Sequence, residues 1–326
     1  MPALLYPLVV SLFVFAALIA MLVAWGSGKP LPPLASLSRA GKRANTGGMP
    51  TLFQCAARDG TALAYRSYAP AVAPSRVAVM VHGSSGDSSN MHAVGRALSA
   101  KNVIAYALDM RGHGKTGRRG DVDYVGQLDD DLADMVTWLR ERHPGLPMSM
   151  VGLSSGGGFT LRTAGGPLGE AFDRFVMLAP MLHHAAPTAR PLAGGWAKPN
   201  LPRIIGLTIL DRLGLRWFQH LPVLSFALPP EAATDRTLAY SYRLQLSFRP
   251  RDDYRADVRA IRRPCTVIIG AEDEIFRAEQ YAPLLEPLQP LLKVQVLPGL
   301  THLDVVVDEA AIERTVAAVV AGQSRS

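Results

Sequence analysis

A serine with flanking glycines lies at the centre of Gly152-Leu153-Ser154-Ser155-Gly156, which matches the pattern G-x-S-x-G. An apolar run at 148–151 precedes this pentapeptide, and Phe159-Thr160-Leu161, a plausible helix start, follows it. In that context the pattern predicts a sharp strand-to-helix turn whose central hydroxyl is a nucleophile. The start of a helix also favours developing negative charge. We therefore predict Ser154 as the nucleophile rather than its neighbour Ser155, with a simple Gly-rich loop as the alternative.

A serine hydroxyl is a weak nucleophile, so it needs a base, and the base needs an acidic partner that orients it. The expected chain order after such a turn is serine, acid, histidine. Asp273 follows the strand-like run 266–270, and His302 follows the run 294–297. Both positions fall at the carboxyl ends of strands, where open α/β sheets place their sites. We predict Asp273 as the acid and His302 as the general base.

Other residues could take these two roles. Glu272 and Glu274 flank Asp273 and compete for the acid. The remaining histidines after the pentapeptide lie inside or beside a long interval between strands: His183, His184 and His220. Of the four, only His302 follows a terminal strand, which favours it as the base.

Donors for the negative oxygen of a tetrahedral intermediate form the last part of the predicted site. The segment His82-Gly83-Ser84-Ser85-Gly86 follows the apolar run 77–81, and its small residues let backbone amides approach a ligand. We predict that the oxyanion hole consists of the backbone N–H groups of Ser84 and Ser155. A plain tight turn at His82-Gly83 is the alternative.

These residues require a sheet that brings distant segments together. Six short apolar runs are expected to be strands buried on both faces: 77–81, 103–108, 148–151, 175–178, 266–269 and 294–297. Helix-length segments separate most of them, which predicts an α/β fold with a mainly parallel, doubly wound sheet. Before them, residues 51–57 and 61–68 flank Asp59-Gly60 and predict a β-hairpin.

The interval between the runs 175–178 and 266–269 is too long for an ordinary loop. It contains an apolar, helix-compatible stretch at 204–218. We predict an inserted helical cap at about 181–258 within a catalytic domain spanning 51–322. A plain helical packing layer is the alternative, since periodicity alone does not separate the two.

The N-terminal segment has a different character. Residues 3–25 carry no charge and are long enough to cross a bilayer. We predict a transmembrane anchor at 1–25 and a Gly, Pro and Ser-rich linker at 26–50. A cleaved signal peptide is the alternative, although no Lys or Arg precedes the apolar run and the run is longer than usual for a signal peptide. Four basic residues follow it, which predicts a cytoplasmic catalytic domain: Lys29, Arg39, Lys42 and Arg43.

The chain has 326 residues and a formal net charge of +7, but no run of five or more basic residues occurs. This scattered distribution argues against nucleic-acid binding. The excess positive charge favours contact with an anionic lipid surface, with a solvated basic face as the alternative. The two cysteines, Cys55 and Cys265, are too few and too far apart to predict a disulfide framework or a zinc site.

Taken together, these motifs resemble the α/β-hydrolase superfamily, and within it the lysophospholipase, monoacylglycerol lipase and serine aminopeptidase-like branch. The resemblance covers about residues 51–320 and depends on the following residues: His82-Gly83-Ser84, the segment 109–116, the pentapeptide around Ser154, Gly270 with Asp273, and His302. It implies an α/β-hydrolase fold with a variable cap after the sixth strand. It also implies that the segment beginning at Asp109 is a structural loop, so Asp109 is not expected to be catalytic. Leu153 departs from the His or Tyr that many lipases carry there.

From these observations we predict a membrane-anchored serine hydrolase that cleaves carboxylic esters through an acyl-enzyme, without a metal or an organic cofactor. The expected substrate is lipid-like, a lysophospholipid or a monoacylglycerol, because a membrane anchor and an apolar cap both suit an acyl chain. A peptidase or amidase, a thioesterase or acyltransferase with the same residues, and a non-catalytic binding protein are the alternatives.

Overall fold

The computed structural model describes residues 2–26, 28, 31–34, 47–228, 232, 234 and 236–322. Most of the linker predicted at 26–50 therefore lies outside the described residues, as do several residues of the predicted cap.

The main feature is an eight-stranded sheet. The described strands are β1 (Leu52–Ala56), β2 (Ala62–Tyr68), β3 (Arg76–Val81), β4 (Val103–Leu108), β5 (Met148–Leu153), β6 (Arg174–Leu178), β7 (Ala197–Pro199), β8 (Pro222–Phe226), β9 (Ala239–Ser241), β10 (Cys265–Gly270) and β11 (Leu292–Leu297). The strand order in the eight-stranded sheet is β1-β2-β4-β3-β5-β6-β10-β11. Strand β2 pairs antiparallel with β1 and β4, and the other pairs of this sheet are parallel. The predicted mainly parallel sheet is confirmed, and each of the six apolar runs lies within one of its strands.

The predicted hairpin is also present as β1 and β2. Gly60 has a φ of 82°, which favours glycine, and its N–H donates to the carbonyl of Ala57 at 2.9 Å. The dipeptide Asp59-Gly60 therefore makes the turn between these two strands.

Burial follows the position of each strand in the sheet. Every residue of β3, β4 and β5 is buried, as expected for central strands covered on both faces. Strand β11 differs, because it lies at an edge of the sheet and only its first residue, Leu292, is buried, whereas Val296 is 41% exposed. The prediction that the run 294–297 is buried on both faces is therefore wrong.

Helices cover the sheet in two groups. The described helices are α1 (Pro2–Ala24), α2 (His92–Ser99), α3 (Gln127–Arg142), α4 (Ser155–Ala164), α5 (Leu201–Arg212), α6 (Tyr242–Phe248), α7 (Tyr254–Ala260), α8 (Tyr281–Leu285) and α9 (Glu309–Val320). Helix α2 packs against α9, whereas α4 packs against α6 and α7. The parallel strands thus carry the helical layers that a doubly wound sheet requires.

The long interval between β6 and β10 forms structure of its own. It contains helices α5, α6 and α7 and a three-stranded antiparallel sheet with the order β7-β8-β9. Helix α5 ends earlier than the helix-compatible stretch 204–218, because Gly214 takes a φ of 78° and the chain then turns. We call the part of this interval described between residues 181 and 258 the cap.

Helix α1 is the one helix in the described part of the chain that is long and apolar enough to cross a membrane, with a mean hydropathy of 2.7 over Tyr6–Ala24. Its C-terminal end packs on the cap, where Ile19 and Val23 are buried in a cluster with Leu207 and Tyr242. The rest of the helix is largely exposed.

Polar contacts fix that same end of α1. The last carbonyls of a helix lack partners within the helix. Arg203 of α5 is a donor to these carbonyls: its Nε donates to the carbonyl of Val23 at 2.8 Å, and its Nη2 donates to that of Trp25 at 2.7 Å. Asn200 also donates to the Trp25 carbonyl, at 2.9 Å. Helix α1 is thereby attached to the cap.

Candidate active site

Ser154 occupies the turn between β5 and α4. Its φ of 53° and ψ of −113° are strained for a residue with a side chain. Backbone hydrogen bonds hold it there, since its N–H donates to Leu178 at 2.8 Å and its carbonyl accepts from Gly158 and Met181 at 3.0 Å each. Its side chain is in a confined position, because the residue is only 7% exposed.

The glycines on either side of Ser154 are required by close backbone approach. A Cβ on Gly156 would collide with the carbonyl oxygens of His82 and Val81. A Cβ on Gly152 would collide with the carbonyl of Gly156. The two glycines of the G-x-S-x-G pattern are therefore needed because the turn leaves no room for a Cβ at either position.

Asp273 and His302 meet at the ends of neighbouring parallel strands. The loops after β10 and β11 carry them, and the strands end in register, with Gly270 opposite Leu297. Oδ2 of Asp273 lies 2.8 Å from Nδ1 of His302, and both residues are buried. Oδ1 accepts from the N–H groups of Ile275 and Phe276 at 2.8 Å each, so both carboxylate oxygens are fixed.

The charge on this loop sets the proton affinity of the imidazole. Burial alone lowers the pKa of His302, but the charge of Asp273, their hydrogen bond and the charge of Glu274 outweigh it. The pKa is raised above its ordinary value of 6.5. Such an imidazole is a stronger base than a free histidine and stabilises the proton it receives.

The three carboxylates of the loop have different positions. Glu272 is exposed. Oε2 of Glu274 accepts a hydrogen bond from the backbone N–H of His302 at 3.0 Å. Asp273 alone among these three bonds the imidazole ring, in the arrangement the acid role requires.

The alternative histidines lie elsewhere. The rings of His183 and His184 contact each other at an angle of 41° with centroids 4.0 Å apart, and Nε2 of His183 is 3.7 Å from Asp252. His220 is exposed.

Ser154 and His302 line one pocket of about 180 Å³. The segment 83–86 after β3 forms part of the same wall. We call it the oxyanion loop, because it contains the predicted donor Ser84. The pocket is otherwise mainly apolar, with walls from Leu34, Leu153, Trp196, Leu228, Ile275 and Leu303, and Arg236 is its cationic residue among those described.

The oxyanion loop passes directly beside the nucleophile. A Cβ on Gly83 would lie 3.2 Å from Cβ of Ser154. Ser84 follows Gly83 in the pocket wall. Ser155 is the first residue of α4, so its N–H has no carbonyl partner within that helix. The structure thus brings the five predicted site residues to one place.

Asp109 has a structural environment. It is buried, and its carboxylate accepts from the N–H groups of Ser88 and Lys115 at 2.8 and 2.9 Å. It therefore joins the segment after the oxyanion loop to the segment 109–116, as the resemblance implies.

Sequence reasoning missed Trp196, Tyr240 and Arg236, which contact the pocket or its loop from the cap. Nε1 of Trp196 donates to Oγ of Ser84 at 2.9 Å, and the hydroxyl of Tyr240 accepts from the N–H of Ser85 at 3.0 Å. No motif or periodicity marks these positions, because they lie in irregular segments or three-residue strands.

No group of three or more His, Cys, Asp or Glu residues is arranged to hold a metal in the described ranges. Cys55 and Cys265 are both buried and unpaired with each other. Burial raises the pKa of the Cys55 thiol to about 11, which disfavours the reactive thiolate.

The fold is shared with solved structures. A membrane phospholipase A, described as a bacterial virulence factor, matches with a TM-score of 0.56 at 16% identity and covers 97% of each chain. The monoacylglycerol lipase of Paleococcus ferrophilus matches with a TM-score of 0.57 at 18% identity, over 78% of this chain and 99% of that one. These matches confirm the α/β-hydrolase fold.

Curated relatives match a shorter region. A monoacylglycerol lipase of Mycolicibacterium smegmatis is 29% identical over 125 residues, which are 38% of this chain and 44% of the relative. The human monoglyceride lipase is 28% identical over 125 residues, 38% of this chain and 41% of the relative. The matched part thus spans less than half the length of either relative.

A family model described as serine aminopeptidase, S33 (Hydrolase_4), matches residues 72–308. This range holds Ser154, Asp273, His302 and the oxyanion loop, and it extends over more than half of the chain. The predicted branch of the superfamily is confirmed, and the chain belongs to the serine aminopeptidase S33 family of α/β-hydrolases.

Proposed function

We propose that this protein is a membrane-anchored serine hydrolase that cleaves carboxylic esters of lipid-like molecules through an acyl-enzyme on Ser154. The observation that carries the proposal is that Ser154 and an Asp273-bound His302 line the same mainly apolar pocket. The strained backbone of the turn fixes Ser154. Asp273, whose two carboxylate oxygens are both hydrogen-bonded, orients His302.

The reaction follows from these positions. His302 removes the proton of the Ser154 hydroxyl as Oγ attacks the ester carbonyl, and Asp273 stabilises the resulting imidazolium. The N–H groups of Ser84 and Ser155 donate to the tetrahedral oxyanion. The imidazolium returns its proton to the departing alcohol as the C–O bond breaks. A water then attacks the acyl carbon while His302 takes its proton; the bond from that carbon to Oγ of Ser154 breaks, His302 returns the proton to Oγ, and the acid is released.

The pocket walls support a lipid-like acyl group. They are mostly aliphatic and aromatic side chains, which bind a hydrocarbon chain through burial of apolar surface. Two relatives of this chain are named monoacylglycerol and monoglyceride lipases, and a structural neighbour is named a membrane phospholipase A. A monoacylglycerol or a lysophospholipid is the substrate class that we propose.

Helix α1 supports the membrane location. Cleavage of α1 as a signal peptide would expose the cap cluster around Leu207 and Tyr242 that Ile19 and Val23 bury. Retention of α1 as a single-pass anchor keeps this cluster covered. The basic residues after α1 favour a catalytic domain on the cytoplasmic side. The intact mass of the protein purified from membranes tests retention, since a mature chain lacking α1 would contradict the anchor.

A peptidase is the second candidate, because the family description names an aminopeptidase. An aminopeptidase must bind the cationic amino group of its substrate, for which a carboxylate is the fitting partner. The described pocket lining contains no carboxylate, and its guanidinium, that of Arg236, lies 3.6 Å from the carboxylate of Asp87. The lack of a carboxylate among the described lining residues favours the ester substrate over the peptide.

Turnover by matched serine variants tests the proposal. The wild type, Ser154→Ala and Ser155→Ala are compared on a p-nitrophenyl ester, a monoacylglycerol, a lysophospholipid and an aminoacyl p-nitroanilide. Ser155→Ala removes a neighbouring hydroxyl but keeps the backbone N–H, so it is the control. We expect ester turnover in the wild type and the control and none in Ser154→Ala. Ester turnover by Ser154→Ala contradicts the nucleophile, and anilide turnover exceeding that of the esters contradicts the substrate class.

A further inference from the structure

Ser85, in the oxyanion loop, has an unusual backbone conformation that the cap holds in place. Its φ is 65°, in the left-handed region that residues with side chains adopt rarely. Its N–H donates to the hydroxyl of Tyr240 at 3.0 Å, and its Oγ donates to the carbonyl of Thr237 at 2.6 Å. Its carbonyl accepts from the N–H of Thr237 at 3.4 Å. All three polar groups of Ser85 are therefore bonded to the cap.

The hydroxyl of Tyr240 is part of a directional chain of hydrogen bonds. Because it accepts from Ser85, its own proton must go to another acceptor, and Nε2 of His113 lies 2.6 Å away. Nδ1 of His113 lies 3.3 Å from the carbonyl of Arg111, which only accepts. The proton of a neutral His113 thus belongs on Nδ1, and Nε2 is free to accept from Tyr240.

Burial keeps the hydrogen-bonded side chains of Tyr240 and His113 in one protonation state. Tyr240 and His113 are 2% and 1% exposed. Burial lowers the pKa of His113 far below its ordinary value and raises the pKa of the Tyr240 phenol. A neutral imidazole and a neutral phenol are the forms that the hydrogen bonds require, so the chain does not change across ordinary pH.

The residues on either side of Ser84 link these hydrogen bonds to the site. On one side of Ser84, Gly83 is packed against Ser154. On the other side, Ser85 is bonded to Tyr240, and the Ser84 hydroxyl itself accepts from Trp196. These contacts restrain the chain on both sides of Ser84, and two of them come from the cap.

We propose that Tyr240 is a positioning residue, which acts through Ser85 to hold the oxyanion loop with the N–H of Ser84 aimed at the reacting carbonyl. This inference rests on the proposed ester hydrolysis. It assigns to the cap a role in transition-state stabilisation in addition to covering the pocket.

The substitution Tyr240→Phe tests the role with little change in packing. The ring contacts with Phe226 and Phe248 remain, but the Ser85 N–H and Nε2 of His113 lose their buried partner. Loss of one oxyanion donor in other hydrolases reduces kcat by about 100- to 1000-fold. For a displaced donor we expect a smaller loss, roughly 10- to 100-fold in kcat. KM should stay within about twofold, because the interaction is made with the transition state.

Tyr242→Phe is the matched control. It removes the hydroxyl of another buried cap tyrosine, whose partner is Thr208 at 3.0 Å and which lies in the cluster under α1. We expect its kcat to equal that of the wild type even if its Tm falls as much as that of Tyr240→Phe. Equal losses of kcat in the two variants would show general weakening of the cap and overturn the inference, as would an unchanged kcat in Tyr240→Phe.

A second variant covers the case in which Tyr240→Phe does not fold. Ser85→Ala removes the donor to Thr237 and leaves the cap side chains intact, and it should lower kcat in the same direction with KM unchanged. An unchanged kcat here contradicts the role of the cap contacts. If Ser154→Ala abolishes turnover while these variants are fully active, only the inference fails. If Ser154→Ala remains active, the proposed function itself fails.

Discussion

Replacement of Asp273 by Asn changes the site in a well-defined way, because it replaces one carboxylate oxygen by an NH2 group and keeps the shape of the side chain. The amide oxygen of Asn can still accept from Ile275 and Phe276, which both bond Oδ1 of Asp273. The amide NH2 then faces Nδ1 of His302 in place of Oδ2. Since an NH2 group only donates, Nδ1 becomes an acceptor and the ring proton moves to Nε2. That tautomer cannot take a proton from Ser154.

The size of the effect follows from this tautomer. The same acid-to-amide change in a serine protease triad reduces kcat by about 10,000-fold. At about 1.4 kcal/mol for each factor of ten, this is a loss of about 5 kcal/mol in transition-state stabilisation. The stability of the fold should change less, because one charge-assisted hydrogen bond contributes roughly 1.5–3 kcal/mol. A fall in Tm of roughly 3–10 °C is expected.

Burst and steady-state kinetics on a p-nitrophenyl ester measure the change, with differential scanning fluorimetry for Tm. Glu272→Gln is the matched control, since it removes an exposed carboxylate from the same loop. We expect Glu272→Gln to match the wild type. A kcat for Asp273→Asn within tenfold of the wild type, in a folded protein, would refute the role given to Asp273.

Three further outcomes are expected. Gly156→Ala should abolish activity and lower Tm, because its Cβ would collide with backbone at His82 and Val81; an unchanged Tm would contradict the turn geometry. The neutral form of His302 is the active base and its pKa is raised, so kcat/KM should fall on acidification with a midpoint above pH 6.5, and a midpoint below that value would contradict the charge environment. Arg203→Ala should free the end of α1 from the cap, seen as faster proteolysis of the cap in detergent, with Arg216→Ala, an exposed arginine of the same region, unchanged.

The elements that local patterns specify were predictable from sequence. Buried parallel strands need continuous apolar runs, and the turn at Ser154 needs glycines on both sides, so both leave local signals. Asp273 and His302 could be found because the carboxyl ends of parallel strands meet at one edge of a sheet.

The contacts of the cap left no such signal. Tyr240 bonds Ser85 across 155 residues of sequence, and Trp196 bonds Ser84 across 112. Both side chains belong to segments too short for any periodicity to appear. The attachment of α1 to Arg203 could not be predicted from sequence either, because a single arginine on a helix of mixed polarity is usually interpreted as a solvated charge. Tertiary packing alone determines which side chains of the cap face the site.

The role of Ser154 as the nucleophile is tested most directly by the site of attachment of an active-site-directed fluorophosphonate, located by peptide mass spectrometry on the full-length protein in detergent. This role predicts one adduct, on Ser154, whose rate of formation falls sharply in His302→Ala. An adduct on Ser155 or on any other residue, or full labelling of Ser154→Ala, would contradict it.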